Sequence, residues 1–331
     1  MGRWLKRVAI AVLALLVVVA AVAAWTSYGL GATVACINAT DGPVQHGSSY
    51  RSVVSGGRER CYLLYVPPGY DPQKPAPVVF SLHGFASNPK EQQRYARWER
   101  LADAEGFLVV YPKGSSSPLR WNTSPVARID NVDDVQLVSD MIADLSAIAA
   151  VDPGRIYVTG FSNGADMAYQ VGCVLADRVA AVGVVSGLGP EPPGGCNLAR
   201  PVPLIALFGA ADPLAKGLPV PTWLIDLLLN VSVELEEPYP PTETLIRKLA
   251  ERNGCDMAPE AIAGAGAVHG ICYTGCRDNA EVVLYTLEGG GHGWPGGPSI
   301  PLLGEASAEI DASKVLWEFF EEHPLGASAD D

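Results

Sequence analysis

One serine of the chain sits between two glycines, in Gly160-Phe161-Ser162-Asn163-Gly164. A serine hydroxyl is a weak nucleophile near neutral pH and attacks a carbonyl carbon only with a base in hydrogen-bond reach. With 35 glycines in 331 residues, chance flanks any one serine this way roughly once in ninety. The pentapeptide therefore means little without a strand before it and a helix after it. Both are present: 155–159 reads as a strand and 165–175 as a helix. That is the setting in which a strained turn holds a nucleophile above a sheet edge.

The partners follow from the same geometry, in the chain order Ser, Asp, His and at the ends of later strands. Asp212 follows the apolar run 203–208 through Gly209-Ala210-Ala211, and His292 follows the run 282–287 inside Gly289-Gly290-Gly291-His292-Gly293-Trp294-Pro295. Only five histidines exist. His46 precedes the fold, His269 falls in a Gly/Ala-rich stretch read as a loop, and His323 follows the last helix. His83 lies before the serine, where a loop donating to an oxyanion belongs. His292 is thus expected as general base and Asp212 as the carboxylate that orients it. Two backbone amides must meet the developing oxyanion. Asn163, next after the nucleophile, supplies one, and Phe85, in Ser81-Leu82-His83-Gly84-Phe85, supplies the other, with Ala86 as its neighbouring alternative. The chemistry this predicts is acyl transfer.

The elements that must position these groups read as alternating strands and helices. Residues 50–54 and 60–66 form a hairpin across Gly56-Gly57. Apolar runs at 77–82, 107–111, 155–159, 179–185, 203–208 and 282–287 read as buried strands. Helices are expected at 94–105, 133–150, 165–175, 242–252 and 308–321. In 133–150, two aspartates suit the first turn, and Leu137, Met141, Ile142, Leu145 and Ile148 share one face. The fold class is α/β, a mostly parallel central sheet with helices on both faces. Sites in such sheets collect at the carboxyl ends of strands.

Apolar residues make up 48% and charged ones 18%, with a net charge of −13. That composition suits a globular core and excludes disorder as the general state. No basic stripe follows the first seven residues, so a nucleic-acid partner is not expected. Arg3, Lys6 and Arg7 precede an uncharged apolar run at 8–24. Residues 1–24 therefore read as a signal peptide, with an uncleaved membrane anchor as the alternative. Residues 25–47 read as an exported segment, 48–325 as one catalytic domain and 326–331 as a disordered tail. Seven scattered cysteines without a metal-binding C-x-x-C pair fit disulfides in an oxidising compartment.

Leu82-His83-Gly84, Trp121-Asn122, Val132-Asp133-Asp134-Val135, the run Arg155 to Gly164, Arg252-Asn253-Gly254-Cys255 and Gly291-His292-Gly293-Trp294-Pro295-Gly296 follow one another in an order that resembles the secreted poly(3-hydroxybutyrate) depolymerase and feruloyl esterase family. The resemblance covers about 48–322 and implies the α/β-hydrolase fold. It implies an extracellular serine esterase without metal or cofactor, acting on hydroxy-acid or phenolic-acid esters, often polymeric. By matching positions it makes Ser162, Asp212 and His292 the triad and Cys173–Cys196 a disulfide behind the nucleophile helix. It also suggests Cys255–Cys276, with Cys272 as a competitor; Cys36 with Cys61 is a further expectation. Trp294 and Trp121 resemble residues lining the family's substrate cleft, and Phe161 joins them as a substrate-binding candidate. The chain departs from the family at Ala165-Asp166, where a second glycine usually stands, and in the segment 219–241, read as a lid or an insertion. Rival readings are a serine peptidase of the same fold and an exported binding protein on the same scaffold.

Overall fold

The computed structural model describes residues 39–123, 129, 131–189, 191–192, 195–196, 200–214, 241–262, 264, 266–300 and 303–326. The expected signal segment, the proposed lid up to residue 240, Cys36 and the tail from residue 327 lie outside them. A hairpin opens the fold: β1 (Gly47–Ser55) and β2 (Arg58–Val66) pair antiparallel across the Gly56-Gly57 turn. β3 (Ala76–Leu82) is buried at every position, and β4 (Leu108–Pro112), β5 (Val151–Phe161), β6 (Ala181–Val185), β7 (Leu204–Gly209) and β10 (Val282–Leu287) complete a parallel block. Burial at every position of β3, β4 and β6 explains why those strands are almost wholly apolar rather than alternating. β8 (Glu260–Ile262) and β9 (Val268–Tyr273) add antiparallel pairs at the far edge, giving the order β1-β2-β4-β3-β5-β6-β7-β10-β9-β8.

Helices cover both faces. α3 (Asp134–Ile148), α4 (Asn163–Val174) and α5 (Thr242–Asn253) pack on one side, where Met141, Met167, Val171 and Ile246 join Phe80, Val158 and Val184 in one core. α1 (Pro89–Ala96), α2 (Glu99–Glu105) and α6 (Ala312–Glu321) cover the other, where Leu316, Trp317 and Phe320 meet Val79, Tyr157 and Ile205. Alternate residues of one strand feed opposite cores, as the two-residue period of a strand requires.

Three sequence expectations are corrected. The single helix at 94–105 is two, because Arg97 adopts a left-handed φ of 51° and ends α1, whose start is capped by the Asn88 side chain. The strands at 260–262 and 268–273 were not expected. Both are short, and the second is interrupted by Gly270, yet β9 pairs antiparallel with β10 and β8 with β9. His269 therefore stands on β9, exposed, 2.8 Å from Glu288, rather than in a loop.

Candidate active site

β5 runs straight into α4, and the turn between them is sharp. Ser162 is held at φ 54° and ψ −123°, a conformation that costs a non-glycine residue of order 1–3 kcal/mol and that clusters at functional sites. Glycine is required on both sides for steric reasons. A Cβ on Gly160 would run into the Gly164 carbonyl oxygen, and one on Gly164 would meet the carbonyl oxygens of Leu82 and His83. Ser162 donates its amide to the Val185 carbonyl at 2.9 Å, and its own carbonyl accepts from Ala165 at 2.8 Å. The serine stays partly exposed while its neighbours are buried.

Asp212 follows β7 and His292 follows β10, neighbouring parallel strands of the sheet. The His292 Nδ1 lies 2.7 Å from Asp212 Oδ2, with both side chains about 5% exposed. The second carboxylate oxygen accepts the Leu214 amide at 2.7 Å. A carboxylate is acceptor only, so Nδ1 carries the proton and Nε2 keeps a free lone pair. The imidazole ring packs against Phe161, the residue before Ser162, with ring centroids 5.0 Å apart. Its backbone is pinned by a 2.7 Å bond to the Leu303 carbonyl. Ser186, at φ 52°, places its hydroxyl 3.4 Å from the Gly293 carbonyl beneath the same loop. Nothing in the sequence pattern singles out Ser186; only its backbone strain marks it.

The loop after β3 carries the two expected donor alternatives. The Ala86 amide is engaged by the Leu119 carbonyl at 2.8 Å, which leaves Phe85 as the candidate donor. His83 lies fully buried beneath this loop. Its Nε2 accepts the Gly114 amide at 3.0 Å, so the proton sits on Nδ1, which donates to the Gly84 carbonyl at 2.7 Å. Burial lowers this imidazole to about 4. Folded His83 thus stays neutral while the unfolded chain's histidine takes a proton near 6.5. Stability present above pH 6.5 is therefore lost as pH falls through the 6.5–4 window, by at most about 3 kcal/mol. The melting temperature of wild type should fall across that window more steeply than that of His83→Gln.

The aromatic expectations are corrected. Trp121 and Trp294 are 0% and 1% exposed, inside the two cores and not along an open cleft. Indole is amphipathic, and each ring spends its N–H on a buried acceptor: Trp121 on the His83 carbonyl at 2.7 Å, Trp294 on Ser313 Oγ at 3.1 Å. Phe161 is likewise buried, wedged between Gly84, Tyr95 and His292, so it supports the site from below. The motif residues Asn122 and Asp134 find their reason here. Buried Asp134 accepts the Asn122 amide at 2.9 Å and pairs with Arg60 at 2.8 Å, while Asp133 caps α3 by accepting the Gln136 amide at 2.8 Å. Asp166, the departure after the elbow, faces Gly189, and burial pushes its carboxyl up to about 7.

Disulfides Cys173–Cys196 and Cys255–Cys276 are formed, the first tying the last turn of α4 to the segment after β6. Cys61 is also disulfide-bonded. Cys272 is a free, buried thiol, pushed up to about 12 chiefly by burial and then by Glu281, which leaves it without thiolate character at neutral pH. Among the described residues no cluster of His, Cys, Asp and Glu could hold a metal ion, and no helix is long and apolar enough to cross a membrane.

The family model described as esterase PHB depolymerase matches residues 60–191, from β2 through the elbow and past β6. "Putative esterase NocK" of Nocardia uniformis subsp. tsuyamanensis is 31% identical over 285 residues, 81% of each chain. The chain belongs to the esterase PHB depolymerase family. Members of this family are esterases, and this chain is a serine esterase of the α/β-hydrolase fold. Feruloyl esterase B of Piromyces equi is 27% identical over 244 residues, 70% of this chain but 42% of that protein, so the chain spans less than half of that relative. Among solved structures, acetyl xylan esterase from Aspergillus awamori superposes with a TM-score of 0.56 at 16% identity, covering 82% of this chain and 99% of that one, a likeness of fold.

Proposed function

We propose that the protein is an exported carboxylic ester hydrolase in which Ser162, His292 and Asp212 act as a triad through an acyl-enzyme. The observation that carries this reading is the 2.7 Å His292–Asp212 hydrogen bond placed against the strained Ser162 elbow through Phe161. His292 Nε2 takes the Ser162 proton as Oγ attacks the ester carbonyl, and Asp212 stabilises the imidazolium that results. The Asn163 and Phe85 amides bind the tetrahedral oxyanion. His292 then returns the proton to the leaving alcohol, and water repeats the cycle on the acyl-serine. The substrates proposed are polyesters of hydroxy acids and feruloyl or related phenolic esters, in line with the family's description and with the feruloyl esterase relative. Export is supported by the basic residues before the apolar run at 8–24 and by two disulfides.

A fluorophosphonate probe tests the assignment directly. The probe should add to one residue at neutral pH, with Ser162 Oγ displacing fluoride from phosphorus, and mass spectrometry of the digest should place the adduct on the peptide containing 160–164. Loss of ester hydrolysis should track labelling. An adduct elsewhere, or full activity in the labelled protein, would overturn the proposal.

A further inference from the structure

The two amides proposed for the oxyanion belong to segments far apart in sequence, after β3 and at the start of α4. Between them runs the segment 113–123, which hydrogen-bonds to both. Toward the oxyanion loop, the Gly114 amide donates to His83 Nε2 at 3.0 Å, the Leu119 carbonyl accepts the Ala86 amide at 2.8 Å, and the Trp121 indole donates to the His83 carbonyl at 2.7 Å. Toward the elbow, Asn163 uses its whole side-chain amide. Its Oδ1 accepts the Trp121 amide at 2.7 Å, and its Nδ2 donates to the Trp121 carbonyl at 3.3 Å and to Thr123 Oγ1 at 2.7 Å. Gln170, two turns along α4, donates to the Thr123 carbonyl at 2.6 Å.

Trp121 is where the two sets meet. Its main chain is paired with the residue after the nucleophile, and its ring holds the carbonyl two residues before Phe85. Asn163, Trp121, Thr123, His83 and Gln170 are all buried, so these bonds act in a low-dielectric interior without competition from water. The His83 carbonyl is also in close approach to Gly164, so the loop and the elbow have no slack between them.

We propose that Trp121, clamped by the Asn163 side chain and Thr123, is a positioning residue that sets the separation of the Phe85 and Asn163 amides and so the width of the oxyanion hole. The inference rests on the oxyanion assignment above and assigns Trp121 a part in transition-state stabilisation without contact to substrate. Donors must stand where charge develops in the transition state, and deleting one costs about 10²–10³ in kcat. Displacing one by a fraction of an ångström costs less. It should also weaken any tetrahedral adduct while leaving ground-state ester binding alone.

The test compares Trp121→Phe, which keeps an aromatic ring but loses the indole N–H, and Thr123→Val, which removes the hydroxyl that seats Asn163, with wild type. The readouts are kcat and KM on p-nitrophenyl acetate, melting temperature, and inhibition by phenylboronic acid. Ser162 Oγ adds to that boron to form a tetrahedral anion, its proton passing to His292. Trp121→Phe should lower kcat about ten- to a hundredfold with KM within twofold, and phenylboronic acid should lose affinity by a similar factor. Thr123→Val should shift the same two quantities about three- to tenfold, which keeps the proposal testable if Trp121→Phe does not fold. A folded variant with wild-type kcat and boronate affinity, or one whose only change is a lower melting temperature, overturns the role of Trp121. Failure of the triad assignment would look different: wild type would not be inhibited by phenylboronic acid at all.

Discussion

Ser162→Ala should lower kcat for p-nitrophenyl acetate by roughly 10⁵–10⁶, leaving only what binding and the oxyanion donors supply. The size follows from mechanism. Without Oγ no acyl-enzyme forms, and His292 has no hydroxyl proton to take. The fold should survive, because Ala occupies the same space and the Ser162 backbone bonds to Val185 and Ala165 do not involve the side chain. Ser162→Gly is the sharper control. It deletes the same hydroxyl but tolerates φ 54°, so it should be equally inactive and more stable than wild type by about 1 kcal/mol or more. Kinetic traces and melting curves on the two variants together separate catalytic loss from unfolding. Residual activity above a hundredth of wild type in either would remove Ser162 from the proposed role.

The sequence made the central sheet legible because continuous apolar runs leave few choices but buried parallel strands, and each lies within a few residues of its expected place. The edges were not legible. β9 carries exposed His269 and a glycine, Gly270, among mostly buried residues, a pattern too short to distinguish from a loop until its pairing with β10 is seen. Arg97 broke a helix for a reason no propensity encodes, the left-handed turn that seats the next helix. At the site, residue types and order pointed to Ser162, Asp212 and His292, because that chemistry demands particular groups in a particular sequence of strand ends. The tryptophans were misplaced for the opposite reason. Indole serves a wet cleft and a dry core equally well, and only the destination of its N–H tells them apart. Several of the supporting bonds of Asn163, Asp134 and Ser186 run to backbone groups, which carry no identity in a sequence.

Asp212→Asn should lower kcat about 10⁴-fold with little change in KM, although it changes one atom and almost no volume. Asp212 Oδ1 accepts the Leu214 amide, and Oδ2 faces His292 Nδ1. An asparagine in this place must keep its oxygen toward Leu214, since turning the NH2 there would set two donors against each other in a buried site. Its NH2 then points at His292 Nδ1, which has to accept. The imidazole proton moves to Nε2, the nitrogen that must be unprotonated to receive the Ser162 proton. The local geometry thus fixes the sign of the effect as well as its cause. The variant should keep its melting temperature and should react with a fluorophosphonate far more slowly than wild type, since that reaction needs the same base. A kcat within tenfold of wild type would mean that Asp212 does not set the histidine tautomer. Where Asp212→Asn loses the expected rate, adding Leu214→Pro, which removes the amide that orients the asparagine, should return part of it, because the side-chain amide becomes free to turn its oxygen back to His292.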